Sequence, residues 1–412
     1  MDVQFFEELL RFPDMRVVGV RVDHAKRAVH VALAWREEKY VCPVCKSMAS
    51  KCKTEPRKEA VRHLDCVGYM TLLELDAMEM RCGQCGKMFN RTASFMGDSV
   101  FITADLLEDM VETARGASVA QVAEWNGQPV SSFTRMYYAE LQKADQRRVI
   151  PPVRRLGIDE TAFLRGQGNY VLLLHDLDRH EVIEVLPDRR KETLKTYLEE
   201  HRDDVFAGLE AVCIDMWKPY KQAVQAVFPD VAIVVDRFHV MQHVSDALDE
   251  CRRAIARKTK DPETKDLLKK EYRFALLRSQ EEQLSMPGGR KQLREVLDLD
   301  PELRALHKLK ERLRRIYHIR KPHKAQRALE NWLRCARYLA SRYLKDLIQM
   351  VCNWKSEILN FAKHAITNGL VEGVNCKVKL VKRLGYGFTN VQHFRLRILH
   401  TCSDSLCAEA KR

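Results

Sequence analysis

No stretch of about 18 uninterrupted apolar residues occurs in this sequence of 412 residues, so no membrane-spanning helix is expected. The N-terminus, MDVQFFEELL, has no basic segment followed by an apolar run, and no secretory signal is expected either. Internal repeats and low-complexity tracts are absent, which removes solenoid and tail-like architectures. Cysteine is present, but not in the even, closely spaced sets of a disulfide framework. The 13 cysteines are scattered over a long chain, and four of them form two C-x-x-C units. That pattern points to a reducing compartment and a metal site. The expectation is a soluble intracellular protein.

The chain is long enough for two or three domains, because single cores rarely grow past about 250–300 residues. Lys and Arg total 70 against 57 acids, a formal net charge of +13. Such a charge favours polyanions, since neutralising phosphates releases condensed counterions. Ribosomal and membrane-surface proteins share this balance, so charge alone does not choose among them.

Several organisational signals follow along the chain. MRVVGVRVDHAKRAVHVALAW alternates apolar and polar residues as half-buried strands do, and YMTLLELDAMEMRC reads as a further strand. From about 103 the period turns helical, with Thr103 a candidate cap, then a short helix, a turn at Asn126-Gly127 and a second helix. Pro151-Pro152 marks a linker. Beyond it RRLGIDETAFL, NYVLLLHDLD and HEVIEVLP read as a meander of three strands, followed by alternating helices and strands. This order predicts an α/β layout around a mixed sheet. From about 240 to 365 strand signals vanish in favour of an Arg-, Lys- and Leu-rich helical block. TNGLVEGVNCKVKLVKRLGYGF then reads as a last helix ended by Gly385.

Three constellations carry chemistry. Cys42, Cys45, Cys82 and Cys85 supply four thiolates on two knuckles, enough to close a tetrahedral Zn²⁺ shell with bonds of ~2.3 Å. Gly83 and Gly86 provide tight turns, and the 36 residues between the pairs suit a ribbon of strands. Four sulfurs leave no open position, so the zinc would be structural; Cys52, Cys66 and His63 are weaker ligand candidates. In the helical pair, Ser118 suits an N-cap. Ser131, Ser132, Thr134, Arg135, Tyr137 and Tyr138 would be exposed on the second helix, able to reach bases and phosphates. An ordinary helical hairpin is the alternative.

The third constellation is acidic. Asp159 ends one strand and Asp215 another, and if the strands are neighbours the two carboxylates converge on one sheet edge. Paired hard oxygens suit Mg²⁺. Two such ions ~3.5–4 Å apart serve in-line phosphoryl displacement. Glu372, on a helix that also carries Lys377, Lys379, Lys382 and Arg383, is the best third carboxylate. An Asp closing a strand is often only a turn residue; the conjunction of three carries the reading.

Asp159 in GIDET, Asp215 in CIDMWKPY, the stretch Asp236-Arg237-Phe238-His239 and NGLVEGVNCKVKLVKRLGYGF resemble the ISL3 family of bacterial insertion-sequence transposases. The resemblance covers essentially the whole chain. It implies a DDE triad of Asp159, Asp215 and Glu372 binding two Mg²⁺ ions (or Mn²⁺) in an RNase H-like core. It also implies a zinc ribbon, a helix-turn-helix and a helical insertion before the Glu-bearing helix. The domains expected are 1–98 (zinc ribbon), 99–150 (helix-turn-helix), 151–240 (first part of the core), 241–362 (insertion) and 363–412 (final part of the core). The implied partners are double-stranded DNA, as terminal inverted repeats and target, and further copies of the chain in a dimer or larger assembly. A cytoplasmic, nucleoid-associated location follows.

Asp236 and His239 either orient a scissile phosphate or pair structurally, and Glu160 is expected to face the opposite side of its strand. Trp217 and Lys218 are candidates for stacking a base and holding a phosphate, with Pro219 starting a helix. Trp332 and Trp354 fit core packing better than base stacking. Two rivals to a transposase are an RNase H-superfamily nuclease and a zinc-ribbon DNA-binding regulator derived from a transposase.

Overall fold

The structure, a computed structural model, describes residues 3–37, 40–51, 57–97, 101–163, 169–269 and 271–410; at 51, 271 and 370–372 it describes the backbone alone. Cys52 lies outside the described residues, as does the side chain of Glu372. The chain divides into two compact units, Met1–Arg147 with Leu406–Arg412, and Arg148–Ser405. No helix among the described residues is long and apolar enough to cross a membrane.

The first unit opens with α1 (Val3–Leu10), followed by β1 (Met15–Asp23), β2 (Ala28–Trp35), β3 (Ala49–Lys51), β4 (Arg57–Cys66), β5 (Tyr69–Ala77), β6 (Glu79–Cys82) and β7 (Met88–Asn90). Four strands form one sheet in the order β1-β2-β5-β4, with β2 and β5 parallel. Its core packs Phe6, Met15, Val31, Leu33, Val61 and Leu73. The short strands β3, β6 and β7 form a second sheet that carries the cysteine knuckles. The stretch expected as one strand after Tyr69 is therefore two, broken at Met78, because its ends belong to different sheets. Three helices follow, α2 (Ala104–Thr113), α3 (Val119–Trp125) and α4 (Val130–Arg147). Thr103 caps α2 by accepting from Leu106 N, and Ser118 forms a reciprocal capping box with Gln121 on α3. Gly127, at φ +63°, makes the turn into α4.

The second unit begins with β8 (Arg155–Ala162), β9 (Tyr170–Asp176) and β10 (Glu181–Leu186), an antiparallel meander as the apolar runs predict. Next come α5 (Lys191–Glu200), β11 (Ala211–Ile214), α6 (Lys218–Val227) and β12 (Ala232–Val235). The five strands lie in the order β10-β9-β8-β11-β12, and β8, β11 and β12 are mutually parallel. Every residue of β10 and β11 is buried, which explains their apolar runs, broken only on β10 by Glu181 and Glu184. Glu184 is held by Arg148 at 3.0 Å and by a two-pronged Arg395 at 2.6 and 2.7 Å.

All described elements from Arg237 to His364 are helical: α7 (Arg237–Lys258), α8 (Pro262–Lys269), α9 (Glu271–Leu277), α10 (Gln280–Ser285), α11 (Gly289–Asp298), α12 (Pro301–Ile316), α13 (Pro322–Leu339), α14 (Lys345–Asn353) and α15 (Lys355–His364). Trp332 is buried and donates to Leu309 O at 2.9 Å, locking α13 to α12. Trp354 is buried too, with the Lys221 ammonium 5.4 Å from its ring. The chain then returns to the sheet in α16 (Glu372–Leu384) and α17 (Val391–Cys402), and ends in α18 (Asp404–Ala410).

Gly157 marks a close approach. A Cβ there would lie 2.7 Å from Leu177 Cδ2 and 2.8 Å from Asn368 Oδ1. Gly157→Ala is expected to cost about 1–3 kcal/mol through overpacking, measured as a lower urea midpoint at unchanged slope.

Candidate metal and nucleic-acid site

Parallel pairing sets Ala211 against Arg155 and Cys213 against Gly157, so continuing the register sets Asp215 against Asp159. On the other side Ile214 pairs Val235, which sets Asp215 against Asp236, and Asp236 N donates to Ile214 O. Three carboxylates thus end up abreast on three neighbouring strands, because parallel strands in register carry corresponding side chains on one face. Asp159 is not a strand end, as the sequence suggested: β8 runs on to Ala162, and only its pairing with β11 stops before Asp159.

The segment Thr367–Gly369 ties this edge to α16. Thr367 Oγ1 donates to Asp236 Oδ1 at 2.5 Å, and Asn368 Nδ2 donates to Ile158 O at 3.1 Å. Glu372 opens α16, and three residues later Asn375 Nδ2 donates to Asp159 Oδ2 at 2.7 Å. Positions 372 and 375 are neighbours on the helix surface by that spacing. The sequence signal for Asn375 is its offset of three from Glu372 on the same helix.

Burial dominates the electrostatics of the pair. It raises the Asp159 carboxyl above its ordinary value, while Glu160 N and the Asn375 amide pull it back. Burial also pushes Asp215 up to about 6, with Glu160 adding to the rise, His239 opposing it and Asp159 adding again. His239 opposes the rise at both carboxylates. Asp236 caps α7 through Phe238 N.

The Glu160 carboxylate accepts from Tyr220 at 3.0 Å and from Arg189 at 3.1 Å. Arg189 in turn lies 4.4 Å from the Tyr170 ring and 5.5 Å from the half-exposed Trp217 ring. No sequence pattern singled out Arg189, which lies between elements. Trp217 is the N-cap residue of α6, and Pro219 sits in that helix's first turn. Lys377, Lys379 and Arg383 are exposed on α16, while Lys382 reaches back to Ala162 O.

The donor set fits Mg²⁺. Among the described residues Asp215 Oδ1 and Asn375 Oδ1 are buried oxygens without a hydrogen-bond partner, and burial holds the Asp159 and Asp215 carboxyls above their ordinary values. Hard oxygens of this kind are what Mg²⁺ accepts. An orphaned buried oxygen costs about 1–3 kcal/mol that a cation would recover.

In the first unit Cys42, Cys45, Cys82 and Cys85 place their sulfurs within 4.8 Å of one another. Cys42 and Cys85 are 3.7 Å apart and Cys45 and Cys82 3.4 Å, close to the ~3.8 Å edge of a tetrahedron with ~2.3 Å bonds. The two knuckles match: Lys46 N donates to Cys42 O and Gly86 N to Cys82 O, with φ +60° and +69°. Gly86 therefore has a conformational reason, whereas Gly83 does not adopt positive φ. The Cys85 N–H, ahead of other donors, holds the Cys82 thiol down to about 5 and favours its thiolate. His63 is engaged with Thr103 at 2.9 Å.

On α4, Ser131, Arg135 and, partly, Ser132, Thr134 and Tyr138 are accessible. Tyr137 is fully buried beside Phe133, which corrects the expectation that it is exposed. Phe133, Tyr137, Leu141 and Ala144 form the helix's apolar stripe at spacings of four, four and three.

The ISL3 transposase family matches residues 156–398, more than half of the chain. The transposase for insertion sequence element IS1001 of Bordetella parapertussis is 24% identical over 366 residues, covering 86% of this chain and 87% of that protein. The transposase for IS1557 of Mycobacterium tuberculosis is 25% identical over 284 residues, covering 64% and 63%. The Drosophila P element transposase strand transfer complex aligns over 76% of this chain and 95% of its own, at 12% identity and a TM-score of 0.42. The chain belongs to the ISL3 family of insertion-sequence transposases.

Proposed function

We propose that this transposase binds the terminal inverted repeats of its element and cuts and joins DNA at a Mg²⁺ site made by Asp159, Asp215 and Glu372. The observation that carries the reading is the register of Asp159 against Asp215, with Asn375 of the Glu372 helix bonded to Asp159. The sheet order β10-β9-β8-β11-β12, with its antiparallel first three strands, supports an RNase H-like core. On this reading 1–98 is a zinc ribbon around Cys42, Cys45, Cys82 and Cys85, and 99–150 a helix-turn-helix reading bases from α4. The core comprises 151–240 and 363–412, and 241–362 is a helical insertion.

Two in-line displacements account for the reaction. Water attacks the phosphodiester at the element end and releases a 3′-hydroxyl. That hydroxyl then attacks a target phosphodiester, whose own 3′-oxygen leaves. Paired Mg²⁺ ions, when bound, activate oxygen nucleophiles and stabilise leaving oxygens in such displacements. Asp159, Asp215 and Glu372 would hold them. His239 would orient the scissile phosphate, with Asp236 capping the helix turn that carries it. Lys377, Lys379 and Arg383 would hold the DNA backbone, while Lys382, tied to Ala162 O, positions α16. Trp217, whose ring lies 5.5 Å from Arg189, would stack a base, and Lys218 would hold a phosphate. Processing both ends together calls for at least two copies of the chain.

Asn375 would keep the Asp159 carboxylate aimed. Asn375→Ala is expected to lower the nicking rate by about 10–100-fold, the usual scale for partners of metal ligands, and to raise the Mg²⁺ concentration needed for half-maximal rate. An unchanged Mg²⁺ requirement would remove Asn375 from that role. The function itself is tested with a labelled duplex carrying the element's terminal repeat. Binding in preference to a scrambled duplex, and Mg²⁺-dependent nicking at the element boundary, are the expected results. Binding without nicking would favour a regulator, and nicking without sequence preference a general nuclease.

A further inference from the structure

The packed helices α12 and α13 together carry ten Lys and Arg residues and only three acids, Glu302, Glu311 and Glu330. Their apolar residues are buried, and Trp332 donates to Leu309 O across the seam. The opposite faces are cationic. On α12, Lys308, Arg312 and Arg315 follow at spacings of four and three. On α13, Lys324, Arg327 and Arg334 follow at three and seven. Residues at such spacings share one side of a helix. Arg312 Nη1 lies 3.3 Å from Cys335 Sγ, which sets the α12 stripe against α13 beside Arg334.

No acid of the two helices answers this charge. Glu311 is buried against Lys310 at 2.9 Å, Glu330 accepts from Lys355 at 2.9 Å, and Glu302 belongs to the first turn of α12. None of the six cations forms an ion pair among the described residues. All six are exposed, and Tyr338, one turn beyond Arg334, is 91% exposed, so no described residue covers this face. A merely solvated helix face tends to alternate its signs, which gains attraction between neighbouring turns. Here like charges sit three and four residues apart, an arrangement that weakens the free helices and that a polyanion relieves.

The dimensions suit a duplex. From Lys324 to Tyr338 the α13 face is about 21 Å long, at ~1.5 Å per residue. A duplex presents one phosphate charge per about 1.7 Å, so about a dozen phosphates span that length. Lys and Arg on an outer helix face reach phosphates, which positions DNA without reading its bases. Of the two duplexes in the proposed reaction, the repeat is the one to be read by sequence and the target the one to be held by its backbone.

We propose that the joined outer faces of α12 and α13 hold the target duplex by its phosphates. The proposal rests on the transposase reading above and adds a second DNA surface to it.

The test uses the full-length protein carrying Lys308→Gln, Arg315→Gln, Arg327→Gln and Arg334→Gln together. Nicking of the terminal-repeat duplex in Mg²⁺ is measured beside joining of a pre-cut repeat end to a separate duplex that lacks the repeat. The variant is expected to melt no lower than wild type, since like charges have gone, and to bind and nick the repeat as wild type does. Joining at limiting target should fall at least about tenfold. Each lost phosphate contact flattens the slope of log target affinity against log salt by about 0.9, so the slope should fall by about three to four. Arg315→Lys, Arg327→Lys and Arg334→Lys combined should join at nearly the wild-type rate, because a phosphate needs only a point charge.

Joining and a salt slope equal to wild type in the Gln variant would overturn the target surface and leave the transposase reading intact. Repeat binding and nicking that fall in step with joining would overturn it too, since the face would then hold the element's own end. Loss of joining in the Lys variant as large as in the Gln variant would contradict holding by phosphates. Wild type that neither nicks nor joins the repeat would overturn both readings.

Discussion

Asp215→Asn is expected to melt above the wild-type protein at pH 7 in buffer without divalent cations, and yet to cut no DNA. The Asp215 carboxyl titrates near 3.8 in the unfolded chain and at about 6 in the folded one, chiefly because it is buried. Its folded pKa is raised, so the burden is absent below about pH 4, grows as pH rises, and is complete above about pH 6. A shift of about two pKa units corresponds to about 3 kcal/mol. In a unit of this size that is roughly 5–10 °C in melting temperature. The amide removes the charge and keeps the shape. The gain should therefore vanish toward pH 4.

Mg²⁺ should reverse the ranking. A cation that binds the native state alone stabilises wild type by about 2.7 kcal/mol at a hundred times its Kd. The variant, short of one ligand oxygen, should gain far less. Loss of a partner outside the coordination shell already costs about 10–100-fold, so loss of the carboxylate itself should exceed that in nicking rate. A variant that melts no higher than wild type at pH 7, or that still nicks, would contradict the role given to Asp215. The tension has a physical basis: carboxylates packed to hold a cation repel one another without it.

Cys82→Ser carries the second large effect, at the other end of the chain. The sheet that bears the knuckles consists of strands of three, four and three residues, too short to stand without a staple. Structural zinc supplies about 10–16 kcal/mol of apparent free energy in small domains of this kind. Cys82 is buried, its sulfur 3.4 Å from Cys45 Sγ, and no serine oxygen replaces a thiolate as a zinc ligand. Zinc content should fall from one per chain to well below that. Repeat binding should drop by about a hundredfold or more, the scale on which tethered modules reinforce each other. Helical circular dichroism, dominated by the second unit, should survive. Cys66→Ser, at a cysteine outside the cluster, should change neither zinc nor binding. Full zinc occupancy in Cys82→Ser, or repeat affinity equal to wild type, would contradict a structural zinc ribbon.

What the sequence made legible follows from locality. The strands β9, β11 and β12 are short apolar runs buried along nearly their whole length, and such runs announce themselves. The caps at Thr103 and Ser118 act within three residues of themselves, so they could be read as well. Strand β4 was missed because RKEAVRHLDC carries charges through most of its length, and α1 because it is a single short amphipathic stretch. Tyr137 was misplaced because a polar-tipped aromatic fits either face until the helix's apolar stripe is drawn through Phe133 and Leu141. The bond from Asn375 to Asp159 spans 216 positions, and the Arg189–Glu160 pair joins a loop to a strand. Contacts of that kind depend on the closed fold and leave no periodic trace. The cysteine knuckles stood out because ligand spacing is itself a local pattern.

Whether Glu372 joins Asp159 and Asp215 in one metal site is decided by incubating wild type and Glu372→Gln, side by side, with the labelled terminal-repeat duplex in Mg²⁺. Boundary nicking by wild type alone is expected, with both proteins binding the repeat equally well. Equal nicking by the two proteins would contradict it.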